Sequence, residues 1–206
     1  MTELSDRYPD IQAVLSGDSE GCIVQGDCLE ILPLMPDGSV DAVVTDPPYG
    51  IGHTTGWEAS WSGKTIAGDA NTSARDRAIP ELIRLCTGAI FCFGTWKAVR
   101  PLGVHTCLIW DKGPASGMGD LRIPWKQSFE EIYVIGTGEW VGPRDEGVLR
   151  GHIVVTWESR GRHHPNAKPV SLVKYLIRLW NYLRSRKETW AEIHRNRDRR
   201  GLLRDS

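Results

Sequence analysis

Val40–Gly50 reads VDAVVTDPPYG, and the reading of this stretch decides the fold. Val40, Val43 and Val44 are β-branched, and the run VDAVV predicts a strand. Pro47 and Pro48 have no N–H to give to a ladder, so a central strand cannot continue through them. The chain therefore turns after Thr45 and presents Asp46, Pro47, Pro48 and Tyr49 beyond the carboxyl end of the strand. In open α/β sheets that is where ligands bind.

Upstream, CIVQG at 22–26 predicts another short strand, and Leu29 to Met35 a helical stretch ended by Pro36, Asp37 and Gly38. Downstream, residues 50–70 carry Gly, Ser, Thr, Trp57 and Trp61 without periodicity and read as a long functional loop. A helix is expected over 73–86, then buried strands at Ala89–Phe93, Thr106–Trp110 and Glu131–Ile135, and a further strand at Ile153–Trp157. From Val170 apolar residues recur helically at Leu172, Val173, Leu176, Ile177 and Trp180, so a helix begins near Pro169 to Ser171. Strands and helices alternate, which predicts an α/β fold: one domain over 1–180 and a basic, helical or disordered tail over 181–206.

The composition bounds the function. With 206 residues, 40% hydrophobic and 25% charged, the chain can bury one sizeable core. No apolar stretch approaches the roughly 18 residues of a membrane span, and the opening MTELSDRYPD is acidic where a leader would be basic, so no membrane role and a cytoplasmic location are expected. Five cysteines, Cys22, Cys28, Cys86, Cys92 and Cys107, never fall as C-x-x-C. We read them as buried thiols, with no disulfide framework and no metal site. Residues 1–50 hold one basic and ten acidic side chains, whereas 151–206 hold thirteen basic and five acidic. A basic end suits a polyanion, although a solvated helix face reads the same way.

The tetrapeptide carries chemistry of its own. An ionised Asp46 accepts hydrogen bonds, Pro47 offers a carbonyl in restricted geometry, Pro48 stiffens the turn and Tyr49 supplies a flat ring. The lone pair of an exocyclic base amine is delocalised into its ring, which makes the nitrogen planar and weakly nucleophilic. Two acceptors, Asp46 and the Pro47 carbonyl, would each take an amine hydrogen and let the nitrogen direct its lone pair at an electrophile. Stacking on Tyr49 would be worth about 1–3 kcal/mol. On this reading the ring of Tyr49 matters and its hydroxyl does not. A strand-ending turn with a solvated Asp is the plainer alternative.

The run GDCLEILPLMPDGSVDAVVTDPPYGIG, Gly26 to Gly52, resembles the opening of the amino-methylating DNA methyltransferases, which act on adenine N6 or cytosine N4. AIFCFG, the LIWDKG segment around Asp111 and Lys112, SFEEIYVIG, and HHPNAKPVSLVKYLI from His163 to Ile177 follow in the order of that family's permuted branch. The resemblance covers most of residues 22–180. It implies a doubly wound, Rossmann-like α/β sheet, S-adenosylmethionine as cofactor and double-stranded DNA as partner, the target base being flipped out of the duplex. It also implies that Asp46, Pro47, Pro48 and Tyr49 are catalytic, and that Asp27, Asp46, His164, Lys168 and Pro169 lie at the cofactor. An aspartate at the head of the motif favours adenine N6, with cytosine N4 as the alternative.

The sequence departs from that pattern in one respect. The strand and Gly-rich DPFxGSGT-like turn that follow the HPxxKP helix in this branch are absent, and residues 178–206 hold a single glycine, Gly201. The sheet is therefore expected to be incomplete, with the VDAVV strand at an open edge. Weak cofactor binding by this chain alone follows. A truncated or frame-interrupted gene, a completing chain or homo-oligomer, and a C-terminal helix that patches the gap each account for this, as does a non-catalytic DNA-binding remnant. Fewer than thirty residues separate EIYVI from HHPNAKP, so DNA contacts are expected from Trp57 and Lys64 in the loop, from Arg160 and Arg162, and from the basic tail.

Overall fold

The computed structural model of the chain describes residues 3–52, 66–113, 122, 124–136, 146–151 and 167–179. The expected strand at 153–157, the loop residues 53–65 and the tail from 180 onward lie outside the described residues. The chain divides into two compact units, one of Met1–Cys107 with Glu131–Gly136 and one of Leu108–Glu130 with Thr137–Ser206.

The first unit opens on α1 (Glu3–Arg7) and α2 (Pro9–Ser16). Pro9 occupies the first turn of α2, where its missing N–H costs nothing, and Gly17 closes the helix at φ +83°. α3 (Cys28–Ile31) passes directly into a 3-10 turn at Leu32–Leu34, the observed form of the expected 29–35 helix. Leu4, Ile11 and Ile31 bury one another in a small cluster closed by Tyr8, Leu15, Leu34 and Met35.

β1 (Val43–Thr45) is shorter than VDAVV, because Val40 makes only an isolated bridge to Cys86. α4 (Ser73–Leu85) follows, and Ala78, Ile79, Leu82 and Leu85 fall on its buried face at helical spacing. Pro80 stands on the opposite, exposed face. Arg84 crosses from α4 to the 3-10 turn, donating to the carbonyls of Leu32 at 2.8 Å and Met35 at 2.9 Å and pairing with Asp37. β2 (Ile90–Gly94) is buried at all five positions, as a strand covered on both faces must be. β3 (Val104–Asp111) and β4 (Phe129–Ile135) complete the apolar runs seen in the sequence. The core of this unit joins Ile79, Leu82 and Cys86 to Ile90 and Cys92 of β2 and to Tyr133 and Ile135 of β4.

The strands are hydrogen-bonded in the order β1-β2-β4-β3-β5, where β5 is Val148–Leu149. β1 runs parallel to β2 with Thr45 opposite Cys92, and β2 runs antiparallel to β4 with Gly94 opposite Glu131. The fold is α/β with a mixed sheet, and β1 stands at one end of the order, as the sequence leads one to expect. Strict alternation does not hold: β2 passes to β3 through residues 95–103 without a helix.

CIVQG corrects the sequence reading. Residues 21–26 form no strand and are exposed, Ile23 at 99%. A strand exists only through its ladder, and no strand among the described residues pairs with this segment. Three cysteine assignments also change, since Cys22 and Cys28 are exposed and Cys107 is half-buried, while Cys86 and Cys92 are buried.

In the second unit, β5 runs parallel to the end of β3 with Ile109 opposite Val148 and Trp110 opposite Leu149. Trp110 and Leu149 are buried, as are Leu172 and Leu176 of α5, the helix over 170–179 that follows Pro169. The Pro169 carbonyl accepts from the N–H groups of Leu172 and Val173, so the helix starts where the sequence places it.

Gly94 provides a test of the packing. A Cβ there would stand 2.2 Å from Tyr133 Cε2, and the Tyr133 hydroxyl is held 2.7 Å from Glu131 Oε2. Gly94→Ala should therefore destabilise the protein by about 1–3 kcal/mol, read as a lower urea midpoint. An unaltered midpoint would show that the tyrosine ring is free to move aside.

Candidate active site

The turn after β1 is built by local sequence. Pro47 and Pro48 end the ladder, and Tyr49 returns its hydroxyl to Asp46, donating to Oδ1 at 2.8 Å. Asp46 is exposed while Pro47, Pro48 and Tyr49 are half-buried. The four residues assigned to catalysis thus come together in one closed turn at the carboxyl end of β1. The hydroxyl of Tyr49 has a partner that the stacking argument did not foresee. A carboxylate has about four lone-pair directions, so accepting from Tyr49 leaves Asp46 chemically able to accept from an amine as well.

Beside this turn lies β2, with Cys92 opposite Thr45. Burial pushes the Cys92 thiol up to about 12, and the charges of Asp46 and Asp76 add to this against the opposing Arg75. A thiol so held stays protonated at neutral pH and is no nucleophile.

Residues 66–72 pack against the other side. Asp69 is 3% exposed, and its Oδ1 accepts the Gly50 N–H at 2.7 Å. The Asp69 carbonyl accepts the Gly52 N–H, also at 2.7 Å. Gly50 has φ +75°, and a Cβ there would come within 2.6 Å of the Asn71 carbonyl carbon, so only glycine fits.

Asp27 is exposed and caps α3, accepting the Leu29 N–H on Oδ1 at 2.8 Å. Its side chain has a structural task in the polar turn where the sequence places it. In the second unit, Lys168 donates to Glu130 Oε2 at 2.8 Å, and Lys112 holds the other oxygen, Oε1. The side chains of Lys168, Glu130 and Lys112 are 10%, 15% and 22% exposed. Burial pushes the Glu130 carboxyl up, but the ammoniums of Lys168 and Lys112 outweigh it and hold the group below the usual glutamate range. Pro169 is buried beside Lys168 at the start of α5. His164, Trp57, Lys64, Arg160 and Arg162 lie outside the described residues.

Sequence reasoning missed Asp69 and Glu130. The one available signal was the pair Glu130-Glu131 inside an otherwise apolar strand. Neighbouring strand residues face opposite ways, so two carboxylates in succession must each find a cation. Glu131, 4% exposed, meets Arg100 at 3.0 Å. Among the described residues no cluster of His, Cys, Asp and Glu could hold a metal ion, and no helix is long and apolar enough to cross a membrane.

No protein-family model matches the chain. It is 28% identical over 169 residues to a protein of Escherichia coli (strain K12) named "Putative methylase YubD", a match that covers 75% of this chain and 67% of that one. The crystal structure of the M1.HpyAVI-SAM complex is similar with a TM-score of 0.46 and 19% identity, over 75% of this chain and 74% of the other. TTHA0409 from Thermus thermophilus, named "Putative DNA Modification Methylase" and complexed with S-adenosyl-L-methionine, is similar with a TM-score of 0.34 and 23% identity; the match covers 58% of this chain and 54%, about half, of that one.

Proposed function

We propose that this chain carries the catalytic turn of an S-adenosylmethionine-dependent DNA methyltransferase acting on an exocyclic base amine, adenine N6 in preference to cytosine N4. The observation that carries the reading is the closed Asp46–Tyr49 turn at the carboxyl end of a parallel strand, with an exposed carboxylate beside a half-buried ring. The likeness to YubD supports it.

The chain's own residues do the following. Asp46 and the Pro47 carbonyl accept the two amine hydrogens, which localises the nitrogen lone pair and points it away from them. Pro47 and Pro48 fix that carbonyl, because their φ angles are set by their rings. Tyr49 faces the extruded base and orients Asp46 through its hydroxyl.

The donor set fits a cofactor that bears a carboxylate. The ammonium of Lys168 at the start of α5 is the kind of donor such a group needs, so Lys168 with Pro169 and His164 would be among the residues that hold it. When bound, S-adenosylmethionine supplies the electrophilic methyl group.

The deciding experiment offers labelled S-adenosylmethionine and the full chain to duplex DNA, RNA and protein in parallel. With S-adenosylmethionine supplied in large excess to offset weak binding, label in N6-methyladenine from the DNA is the expected result. DNA binding without transfer or cofactor binding would instead identify a non-catalytic DNA-binding protein. Tyr49→Phe should lower transfer about tenfold with DNA affinity unchanged, since a hydrogen bond to a charged group is worth about 1.5–3 kcal/mol and part of it is regained from water. Wild-type transfer by this variant would return Tyr49 to stacking alone.

A further inference from the structure

The geometry points to Asp69 as the positioning residue of the Asp46–Tyr49 turn: a buried carboxylate, 19 residues away in sequence from Gly50, that holds the catalytic acceptors in place through the backbone of Gly50 and Gly52. This inference rests on the methyl-transfer reading of the turn.

A carboxylate with 3% exposure has given up most of its hydration and must be repaid by donors inside the protein. Asp69 takes the N–H of Gly50, the residue next to Tyr49, on its side chain, and the N–H of Gly52 on its own carbonyl. Both glycines have positive φ, +75° and +60°. Glycine populates such conformations freely but also many others, so the local sequence PYGIG cannot by itself select this one. The two bonds to Asp69 select it.

Asp69 is itself fixed. Gly68 lies against Pro48, where an added Cβ would sit 3.6 Å from Pro48 Cγ. Two residues beyond Asp69, Asn71 Oδ1 accepts the Ser73 N–H, and Thr72 donates to Asp76 at 2.7 Å, which binds the segment to the first turn of α4. α4 is anchored to β2 through Ile79, Leu82 and Cys86. A continuous path of hydrogen bonds and packing thus runs from the core to the residue beside Tyr49. Asp69 touches neither base nor cofactor in this scheme. It acts by holding Asp46 and the Pro47 carbonyl where two amine hydrogens will meet them, and a misplacement of about 1 Å in such a constellation costs on the order of 100-fold in rate.

Two variants and one backbone measurement test this on the full chain. Asp69→Ala removes the side-chain acceptor; Asp69→Asn keeps an oxygen that accepts the Gly50 N–H. In the wild type the Gly50 amide should exchange with solvent at least about 100-fold more slowly than a free amide, and rapid exchange there would overturn the inference without any variant. Asp69→Ala should raise exchange at Gly50 at least about tenfold, leave it unchanged in β2, and lower kcat by about 10-fold to 100-fold with KM for DNA within about threefold. Asp69→Asn should stay within about threefold of wild type in both readouts. Faster exchange with unchanged kcat, or equal loss of kcat in the two variants, would overturn the positioning role. If the wild type transfers no methyl group to any substrate, the functional reading fails, while the exchange data still decide whether Asp69 holds the turn.

Discussion

Asp46→Ala should abolish methyl transfer in practical terms, lowering kcat by about 100-fold to 10,000-fold while DNA affinity stays within a few fold. The asymmetry follows from where Asp46 stands. It is exposed at the end of β1 and accepts a hydrogen bond from Tyr49 on Oδ1, so its removal takes no side chain out of the core. On the proposed reading, what is lost is the acceptor that makes the amine nucleophilic. Without it the nitrogen lone pair remains in the ring, and the Pro47 carbonyl alone cannot draw it out. Asp46→Asn offers a sharper comparison, because the amide keeps one acceptor oxygen but gains donors that face the amine hydrogens. It should be nearly as poor as alanine. Labelled-methyl transfer measured at saturating DNA decides the matter, and turnover within a few fold of wild type in either variant would remove Asp46 from the mechanism.

The parts of this molecule that were legible in sequence are those whose information is local. Two prolines after a valine-rich run must end a strand, and AIFCF, too apolar for either face of a sheet to meet water, emerges as the fully buried β2. The helix over 73–86 and the start of α5 after Pro169 were equally plain. CIVQG looked like a strand on the same grounds and is not one, because pairing is a property of the neighbour as much as of the segment. The tyrosine hydroxyl was missed for a different reason: an i to i+3 contact across a double proline depends on side-chain directions that the residue types do not fix. Asp69 left no trace in the sequence and Glu130 only the bare pair Glu130-Glu131, because their partners lie 19, 18 and 38 residues away, and nothing in a single sequence marks which carboxylate will be buried against which donor.

Glu130→Ala should be strongly destabilising. Lys168 and Lys112 each place an ammonium on one oxygen of the Glu130 carboxylate, with all three side chains largely buried. Taking the carboxylate away leaves two like charges in a poorly solvated place without the group that lies between them. Breaking a buried pair in this way costs about 3–5 kcal/mol. For a chain of this size that corresponds to a fall of about 6–20 °C in the thermal midpoint at pH 7. Acid gives the same result reversibly in the wild type. Because the two ammoniums, against the effect of burial, hold the Glu130 carboxyl below its ordinary value near 4.5, the folded state favours the ionised form more than the unfolded chain does. The stabilisation is therefore complete above that ordinary value and is lost as the pH falls through the lowered one. Glu130→Gln, which preserves shape but cannot ionise, should start with a lower midpoint and lose less of it between pH 6 and pH 3. If its midpoint at pH 7 matched the wild type, the two lysines would have to be neutralised by other groups, and Glu130 would be a bystander in the cluster it joins.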